Sequence, residues 1–367
     1  MKLASYNLEN LFLRTRVLNQ NNQAVAKEIL KAHADVNAIL AKTTYNAADK
    51  KKIVELLGVL GLKKSDESKF AILRQNRGHL IKRSGGQPQV MADGRGDWIG
   101  WVELVVEEVN EVATRNTGQV IRDLKADVVG VVEAESRPAL LRFSKNILSA
   151  AGGTPYEHIM LIDGNDDRGI DVAIMTRKNF EIASICSHVD DADNDGLIFS
   201  RDCAQYEINT PNNNTLVVLV NHYKSKGFGI PAASNRKRKR QAQRTADIYQ
   251  KLKQKHDYIA IIGDFNDTPD SDPLSPLFNG TGWKDVSQVA GFQNGGRPGT
   301  YKNGTAGNNI DFILLSPALF AKAIGGGIFR MGVWGGTNGT LFPHYPEITK
   351  ENEAASDHAA IWAELNI

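Results

Sequence analysis

Residues 258–269, Y-I-A-I-I-G-D-F-N-D-T-P, are the stretch on which the reading of the fold turns. The apolar run from Tyr258 to Ile262 has the length and composition of a short strand buried on both faces, and Gly263 lets the backbone leave it tightly. Side chains alternate along a strand, so Asp264 and Asn266 are expected on one face while Phe265 turns into the core. A carboxylate and a carboxamide then sit at the mouth of a sheet, where a carboxylate can take a proton from water beside a bound phosphate. A strand-to-turn with a capping Asp is the plain structural alternative.

Working outward, other segments have the same form. Residues 215–226, T-L-V-V-L-V-N-H-Y-K-S-K, are a buried strand ending in Asn221 and His222. Residues 127–136, D-V-V-G-V-V-E-A-E-S, end in two carboxylates expected on one face, Glu133 and Glu135. Residues 2–12 read as a strand with Leu3, Ser5, Asn7 and Glu9 together, so that Asn7 and Glu9 emerge side by side. Arg168 and Asp171 open a loop and an alternating strand over 168–177. Late in the chain, Gly299-Thr300-Tyr301 precedes Ile310-Asp311-Phe312-Ile313-Leu314, and Ser356-Asp357-His358 precedes a last strand.

In this order the segments resemble the motifs of the endonuclease/exonuclease/phosphatase (DNase I-like) superfamily, in a bacterial-type member. The resemblance implies an α/β fold: a four-layer α-β-β-α sandwich of two packed mixed β-sheets flanked by helices. It also implies metal-dependent hydrolysis of a phosphate ester by in-line attack of water. In that scheme Asp264 takes the proton from water, and Asn266 and Asn7 hold phosphate oxygens. His222 and His358 donate to transition-state oxygens, with Asp311 fixing the tautomer and charge of His358. Glu133, with Glu9 and Asp357, places Mg²⁺, or Mn²⁺ in its stead; Mg²⁺ takes oxygen ligands and keeps waters, so one or two carboxylates suffice. Arg168 would clamp phosphate and Asp171 orient another group, with a structural role the equal alternative for each. Glu135 is expected to support the site or lie at the surface.

The totals set bounds on this. The chain has 367 residues, 41% hydrophobic, enough for a sizeable core, and one domain over 1–367 is expected. Lys plus Arg number 44 against 42 Asp plus Glu, so bulk charge does not announce a nucleic-acid binder and any polyanion site must be local. Cys186 and Cys203 are too few for a disulfide scaffold, which points to a reducing compartment. No apolar run is long enough to span a membrane, and a strand beginning almost at Met1 leaves no room for a signal peptide, so the cytoplasm is expected unless the chain is trimmed.

The resemblance lapses over 13–96, an expected helical and basic insertion. Residues 24–40 and 47–60 have helical spacing, with Asn46 a cap before Ala47. Residues 63–95 are basic, either a solvated face or a contact for a nucleic-acid backbone. Val102, Val105, Val106, Val109 and Val112 predict a long helix over 98–125, and residues 325–346 predict a Gly-rich loop. The basic run 236–240 opens a helix whose charges are expected to be exposed. Asp191, Asp193 and Asp195, with Gly196, Ile198 and Asp202, match positions of a twelve-residue calcium loop, but the flanks do not read as helices; a structural Ca²⁺ site there competes with an acidic solvent loop.

Within that family, His222 with His358 resembles the arrangement in secreted deoxyribonucleases and sphingomyelinases, and G-D-F-N-D-T-P resembles bacterial-type nucleases, so the resemblance implies a nuclease, with DNA or RNA as substrate. The alternatives are a phosphatase, a sphingomyelinase-like phospholipid phosphodiesterase, or a non-catalytic scaffold, which is expected to have lost site residues that this chain keeps.

Overall fold

Tyr258–Asp264 is a strand near the middle of a six-stranded sheet, flanked by Thr215–His222 and Asp311–Leu315. The computed structural model describes residues 1–19, 23–84, 88–166, 168–226 and 230–367. The chain divides into two compact units: Met1–Phe12, Val109–Lys226 and Pro231–Ile367 form one, and Leu13–Glu108 make up nearly all of the other.

In the first unit the sheet strands, numbered in chain order, are β1 (Lys2–Asn7), β2 (Val128–Ala134), β3 (His158–Ile162), β4 (Asp171–Thr176), β5 (Glu181–Cys186) and β6 (Cys203–Asn209). They continue with β7 (Thr215–His222), β8 (Tyr258–Asp264), β9 (Lys284–Asp285), β10 (Asp311–Leu315), β11 (Ala323–Phe329) and β12 (Ala360–Leu365). One sheet has the order β11-β12-β1-β2-β4-β3, the other β5-β6-β7-β8-β10-β9. Both are mixed: β1 and β2 run parallel in one, β7 and β8 in the other, amid antiparallel neighbours.

The inner faces meet in a shared core, with Leu3, Val132, Val172 and Ile174 from one sheet against Val218, Val220, Ile262 and Ile313 from the other. Each such side chain contributes about 1.5–3 kcal/mol on burial. The sheets approach so closely at Gly130 that a Cβ there would lie 2.3 Å from Ile262 Cδ1. Helix Glu111–Leu124 covers the outer face of the first sheet through Val120, Ile121 and Leu124, and helix Pro231–Leu252 covers the second through Ala242, Ala246, Ile248 and Tyr249. This is the four-layer α-β-β-α sandwich expected from the sequence.

The second unit has its own core, from helices Gln23–Leu40 and Ala47–Val59 and the strand pair Ala71–Arg77 with Ile99–Leu104. Asn46 caps the second helix as expected: its side chain accepts from Asp49 N–H while the Asp49 carboxylate accepts from Asn46 N–H. The unit carries strands as well as helices, and it continues past the expected limit at residue 96.

Two expectations are corrected. Only Glu111–Leu124 of 98–125 is helical; Ile99–Leu104 is a strand with Gly100, Val102 and Leu104 buried. Gly100, Val102 and Leu104 satisfy a period of two while the valines from Val102 onward suit a helical one, and pairing with Ala71–Arg77 decides between them. The Gly-rich segment from Gly325 begins inside strand β11. There Gly327 is needed for close packing, because a Cβ would lie 2.7 Å from Gln293 O. In the stretch 63–95, Arg83 pairs with Asp66 and Arg74 with Glu103, so part of its positive charge is matched within the unit.

Candidate active site

The second sheet sets a row of polar groups along one edge. Parallel pairing places His222 opposite Asp264, and antiparallel pairing places Asp264 opposite Asp311, so three adjacent strands deliver an imidazole and two carboxylates side by side. In the first sheet β1 and β2 end together: Leu8 N–H donates to Val132 O (2.8 Å) and Asn10 N–H to Glu133 O (3.0 Å). Asn7 Nδ2 then donates to Asp264 Oδ2 at 3.3 Å, joining the two sheets at this edge. Gly263 makes the approach possible. Its φ is 133°, and a Cβ would lie 1.9 Å from Asn221 O.

Among the described residues seven non-glycine positions have positive φ, and four of them, Glu9 (53°), Asn10 (68°), Glu133 (62°) and Asn266 (54°), lie at these strand ends. Such conformations persist where surrounding contacts over-determine them, and they concentrate at functional sites. They also correct three sequence expectations. Strand β1 stops at Asn7, and Glu9 N–H turns back to donate to Asn7 Oδ1 at 3.1 Å. Glu133 occupies a bulge, since β4 pairs Asp171 with Ala134 and Val172 with Val132, passing it over. Glu135 points elsewhere: its Oε1 accepts from Leu11 N–H (2.9 Å) and Phe12 N–H (2.6 Å), holding the turn after β1. Asn266 lies beyond β8, with its N–H donating to Asp264 Oδ1 (2.8 Å) and its Nδ2 to Tyr223 O (3.2 Å). Phe265 is buried as expected, edge-on to Tyr223 and Phe312.

The two histidines differ in charge. His358 Nδ1 lies 2.8 Å from Asp311 Oδ2, which also accepts from the Thr300 hydroxyl at 2.6 Å. Burial alone would lower the pKa of His358, but the charge and hydrogen bond of Asp311, with Asp357 and Asp264 behind them, raise it well above the ordinary value. For His222, burial and then the guanidinium groups of Arg201 and Arg168 depress it well below that value. Its Nδ1 is buried without a partner, and its Nε2 lies 3.7 Å from both Glu133 Oε1 and Asp264 Oδ2, so the neutral ring carries its proton on Nε2. Burial and then Asp311 push Asp264 up to about 8, with His358 pulling the other way. The ring of Tyr301 lies 4.8 Å from that of His358, and burial, then Asp357, Glu9, Asp264 and Glu133, raise its pKa and keep its hydroxyl protonated.

The donors expected for Mg²⁺ are all carboxylate oxygens, the chemistry that cation takes. Glu9 Oε2 accepts from Asp357 N–H at 3.0 Å, which brings those two residues together, and Glu133 faces His222 across the same edge. Among the described residues the group that meets a tight metal-cluster spacing is a different one, Asp264, Asp311 and His358, with ligand atoms within 4.8 Å of one another. Its Asp311–His358 contact is itself a hydrogen bond, which suits proton transfer better than a metal cage.

Arg168 is engaged by Asp166 through Nε (2.8 Å) and Nη2 (2.7 Å), so the structure places its fork on a carboxylate. Asp171 is buried and accepts from Gly164 N–H at 2.8 Å; burial, and Asp163 with Asp166 beside it, raise its pKa. The calcium reading of Asp191, Asp193 and Asp195 is corrected. The segment is a hairpin of Ala192–Asp193 with Gly196–Leu197; Arg244 Nε binds Asp191 Oδ2 (2.7 Å) and Arg240 Nε binds Asp193 Oδ2 (2.7 Å). The run 236–240 is likewise less exposed than expected. Arg238 is 1% exposed on Asp267, and Lys239 and Arg240 pair with Asp272 and Asp193. Sequence reasoning passed over Asp166 and Arg201, which no local pattern marks, and over Lys224, which the N-H-Y-K-S-K segment displays openly.

The chain matches the Endonuclease/Exonuclease/phosphatase family over residues 110–358, more than half its length, and it belongs to that family. The family comprises metal-dependent phosphoesterases, nucleases and phosphatases among them. The fold is similar to that of an endonuclease/exonuclease/phosphatase family protein from Bacteroides thetaiotaomicron: 17% identity, 69% of this chain and 86% of that one covered, TM-score 0.51. It is also similar to a mannosyl-6-phosphatase from the same organism: 16% identity, 70% and 92% covered, TM-score 0.50. No curated protein matches the sequence. Among the described residues no helix is long and apolar enough to cross a membrane.

Proposed function

We propose that the protein hydrolyses phosphodiester bonds of nucleic acid with a divalent cation held by Glu133, Glu9 and Asp357. The observation that carries this reading is Asp264 set between two imidazoles, one cationic and one neutral, with His222 Nε2 at 3.7 Å and His358 Nε2 at 3.9 Å from the same carboxylate oxygen. Those spacings exceed a direct hydrogen bond and suit an oxygen of water or phosphate lying between the partners.

Asp264, raised toward neutrality, takes the proton of the attacking water. Asn266 N–H on one carboxylate oxygen and Asn7 Nδ2 on the other fix its plane. His358, kept cationic by Asp311, donates to an oxygen that gains charge. His222 donates from Nε2 as a neutral group, adding no cation beside Glu133. A bound divalent cation neutralises charge developing on the phosphoryl oxygens. Two histidine donors suit a phosphate ester whose alkoxide leaving group needs stabilisation. The paired basic run 236–240 plays no part in this reading.

The test is incubation of the purified protein with supercoiled plasmid and with single-stranded DNA in Mg²⁺, Mn²⁺ or chelator, beside Asp264→Ala. Metal-dependent cleavage lost in the variant supports the reading. Intact DNA, with phosphate or phosphocholine released from small esters, overturns it in favour of a phosphatase or phospholipid phosphodiesterase.

A further inference from the structure

Lys224 lies two residues past His222, beyond the end of β7, yet both of its backbone groups are locked. Its N–H donates to Gln241 Oε1 (2.8 Å) and its carbonyl accepts from Arg238 Nη1 (2.8 Å). Both side chains come from helix Pro231–Leu252 and are buried, Gln241 at 0% and Arg238 at 1% exposure. Arg238 Nε also binds Asp267 Oδ2 at 3.1 Å, so the helix ties Lys224 to the turn that carries Asp264 and Asn266. Burying an arginine and a glutamine is costly unless their hydrogen bonds are made, and here those bonds fix one residue's position.

The side chain so positioned is a half-buried ammonium with no carboxylate partner among the described residues. Arg168 and Arg201 stand near it, and both engage Asp166: Arg168 forks onto that carboxylate, and Arg201 Nη2 lies 3.2 Å from Asp166 Oδ2. Arg201 is itself 1% exposed, with Nε lacking a partner, and Nη1 reaches Tyr223 O between His222 and Lys224. Three cations thus gather beside His222, a positive field that suits a bound anion. Burial, and then Arg168 and Arg201, accordingly depress the Lys224 ammonium to about 8.

We propose that Lys224 receives a second phosphate group of the substrate, next to the one that reacts, with Arg168 and Arg201 reinforcing the positive field. This rests on the phosphodiesterase reading and narrows its substrates to molecules with at least two phosphates. An internal phosphodiester and a terminal phosphate monoester offer the same chemistry to the lysine.

The test compares kcat/KM of wild type, Lys224→Ala and Lys224→Arg on bis(p-nitrophenyl) phosphate and on a short oligonucleotide. Two further oligonucleotides carry an uncharged methylphosphonate on one or the other side of the scissile bond. Lys224→Ala is expected to lose about ten- to hundredfold more on the oligonucleotide than on the one-phosphate ester, in line with a lost charged hydrogen bond. One of the methylphosphonates costs wild type a similar factor and costs Lys224→Ala little more. Lys224→Arg restores most of the loss. Adding or removing a 5′-phosphate on the oligonucleotide tells a terminal monoester from an internal diester. Equal losses on both substrates, or methylphosphonate and lysine effects that simply add, overturn the proposal.

If wild type hydrolyses small esters but no oligonucleotide, the nuclease reading fails by itself and competition decides the subsite. Adenosine 3′,5′-bisphosphate then inhibits wild type more strongly than adenosine 5′-monophosphate, a preference that Lys224→Ala loses. Equal inhibition of wild type by the two nucleotides overturns the proposal.

Discussion

Asp311 holds His358 through a 2.8 Å contact with Nδ1, and the same carboxylate oxygen takes the Thr300 hydroxyl at 2.6 Å. The ring is thereby oriented with Nε2 toward Asp264, and its positive charge is matched. His222, across the same oxygen of Asp264, has no partner on its Nδ1 and feels the charge of two guanidinium groups, those of Arg201 and Arg168. In the metal-free protein His358 is therefore expected to stay protonated through neutral pH while His222 stays neutral.

The signs of the two linkages are opposite. The folded pKa of His358 is raised, so its stabilising contribution is complete below about 6.5, the ordinary value, and is lost as pH rises through the higher folded value. The folded pKa of His222 is depressed, so below about 6.5 the unfolded chain takes up a proton that the folded chain refuses, and acid destabilises the fold. An NMR titration of the imidazoles checks both. Asp311→Asn should bring the His358 titration down, because burial then faces only Asp357 and Asp264.

Asp264→Asn should abolish most turnover, by about 10²–10⁴-fold, as for loss of a general base. His358→Ala should cost about 10²–10³-fold, as for loss of one electrostatic donor. Burial and Asp311 disfavour the Asp264 carboxylate in the fold, so Asp264→Asn should leave Tm unchanged or higher. Activity within about tenfold of wild type, short of those losses, would refute the assignment.

What the sequence made legible was local. An apolar strand ending in a polar group shows its length, its burial and the residue type at its end, and Asn7, His222, Asp264, Asp311 and His358 all lie where such endings meet. What it hid depended on partners far along the chain. Val102 and its neighbours satisfied two periods, and a strand about thirty residues upstream chose between them. The spacing of Asp191 and Asp193 suited calcium, but Arg240 and Arg244 reach them from a later helix. The directions of Glu9 and Glu133 depended on left-handed backbone that strand alternation does not foresee. Nothing in five consecutive basic residues marks Arg238 as the one turned inward.

Gly263→Ala should unfold the protein at lower denaturant although the added group is one methyl. At a φ of 133° a side chain costs about 1–3 kcal/mol in backbone strain alone, and its Cβ would meet Asn221 O at 1.9 Å. Strand β7 would have to move from β8 at the point where His222 and Asp264 are paired. Activity should therefore fall together with the unfolding midpoint, and an unchanged midpoint would show that the sheet accommodates the methyl.

Arg238 and Asp267 are a buried pair whose removal one at a time should differ from removal together. Arg238→Met leaves Asp267 with Lys226, whose ammonium also contacts Oδ1, so its carboxylate keeps one cation. The loss should then fall at or below the lower end of the roughly 3–5 kcal/mol typical of breaking a buried pair. Asp267→Asn leaves Arg238 with the Lys224 carbonyl and the Asn235 side chain, but with no carboxylate contact. A double variant, Arg238→Met with Asp267→Asn, removes both charges, and its loss should be less than the sum of the single losses, since neither partner is left charged in the interior. Denaturant unfolding of the four proteins measures this. Strict additivity would mean that the pair carries no coupling, and that the turn after Asp264 is held by Lys226 and the Asn266 backbone instead.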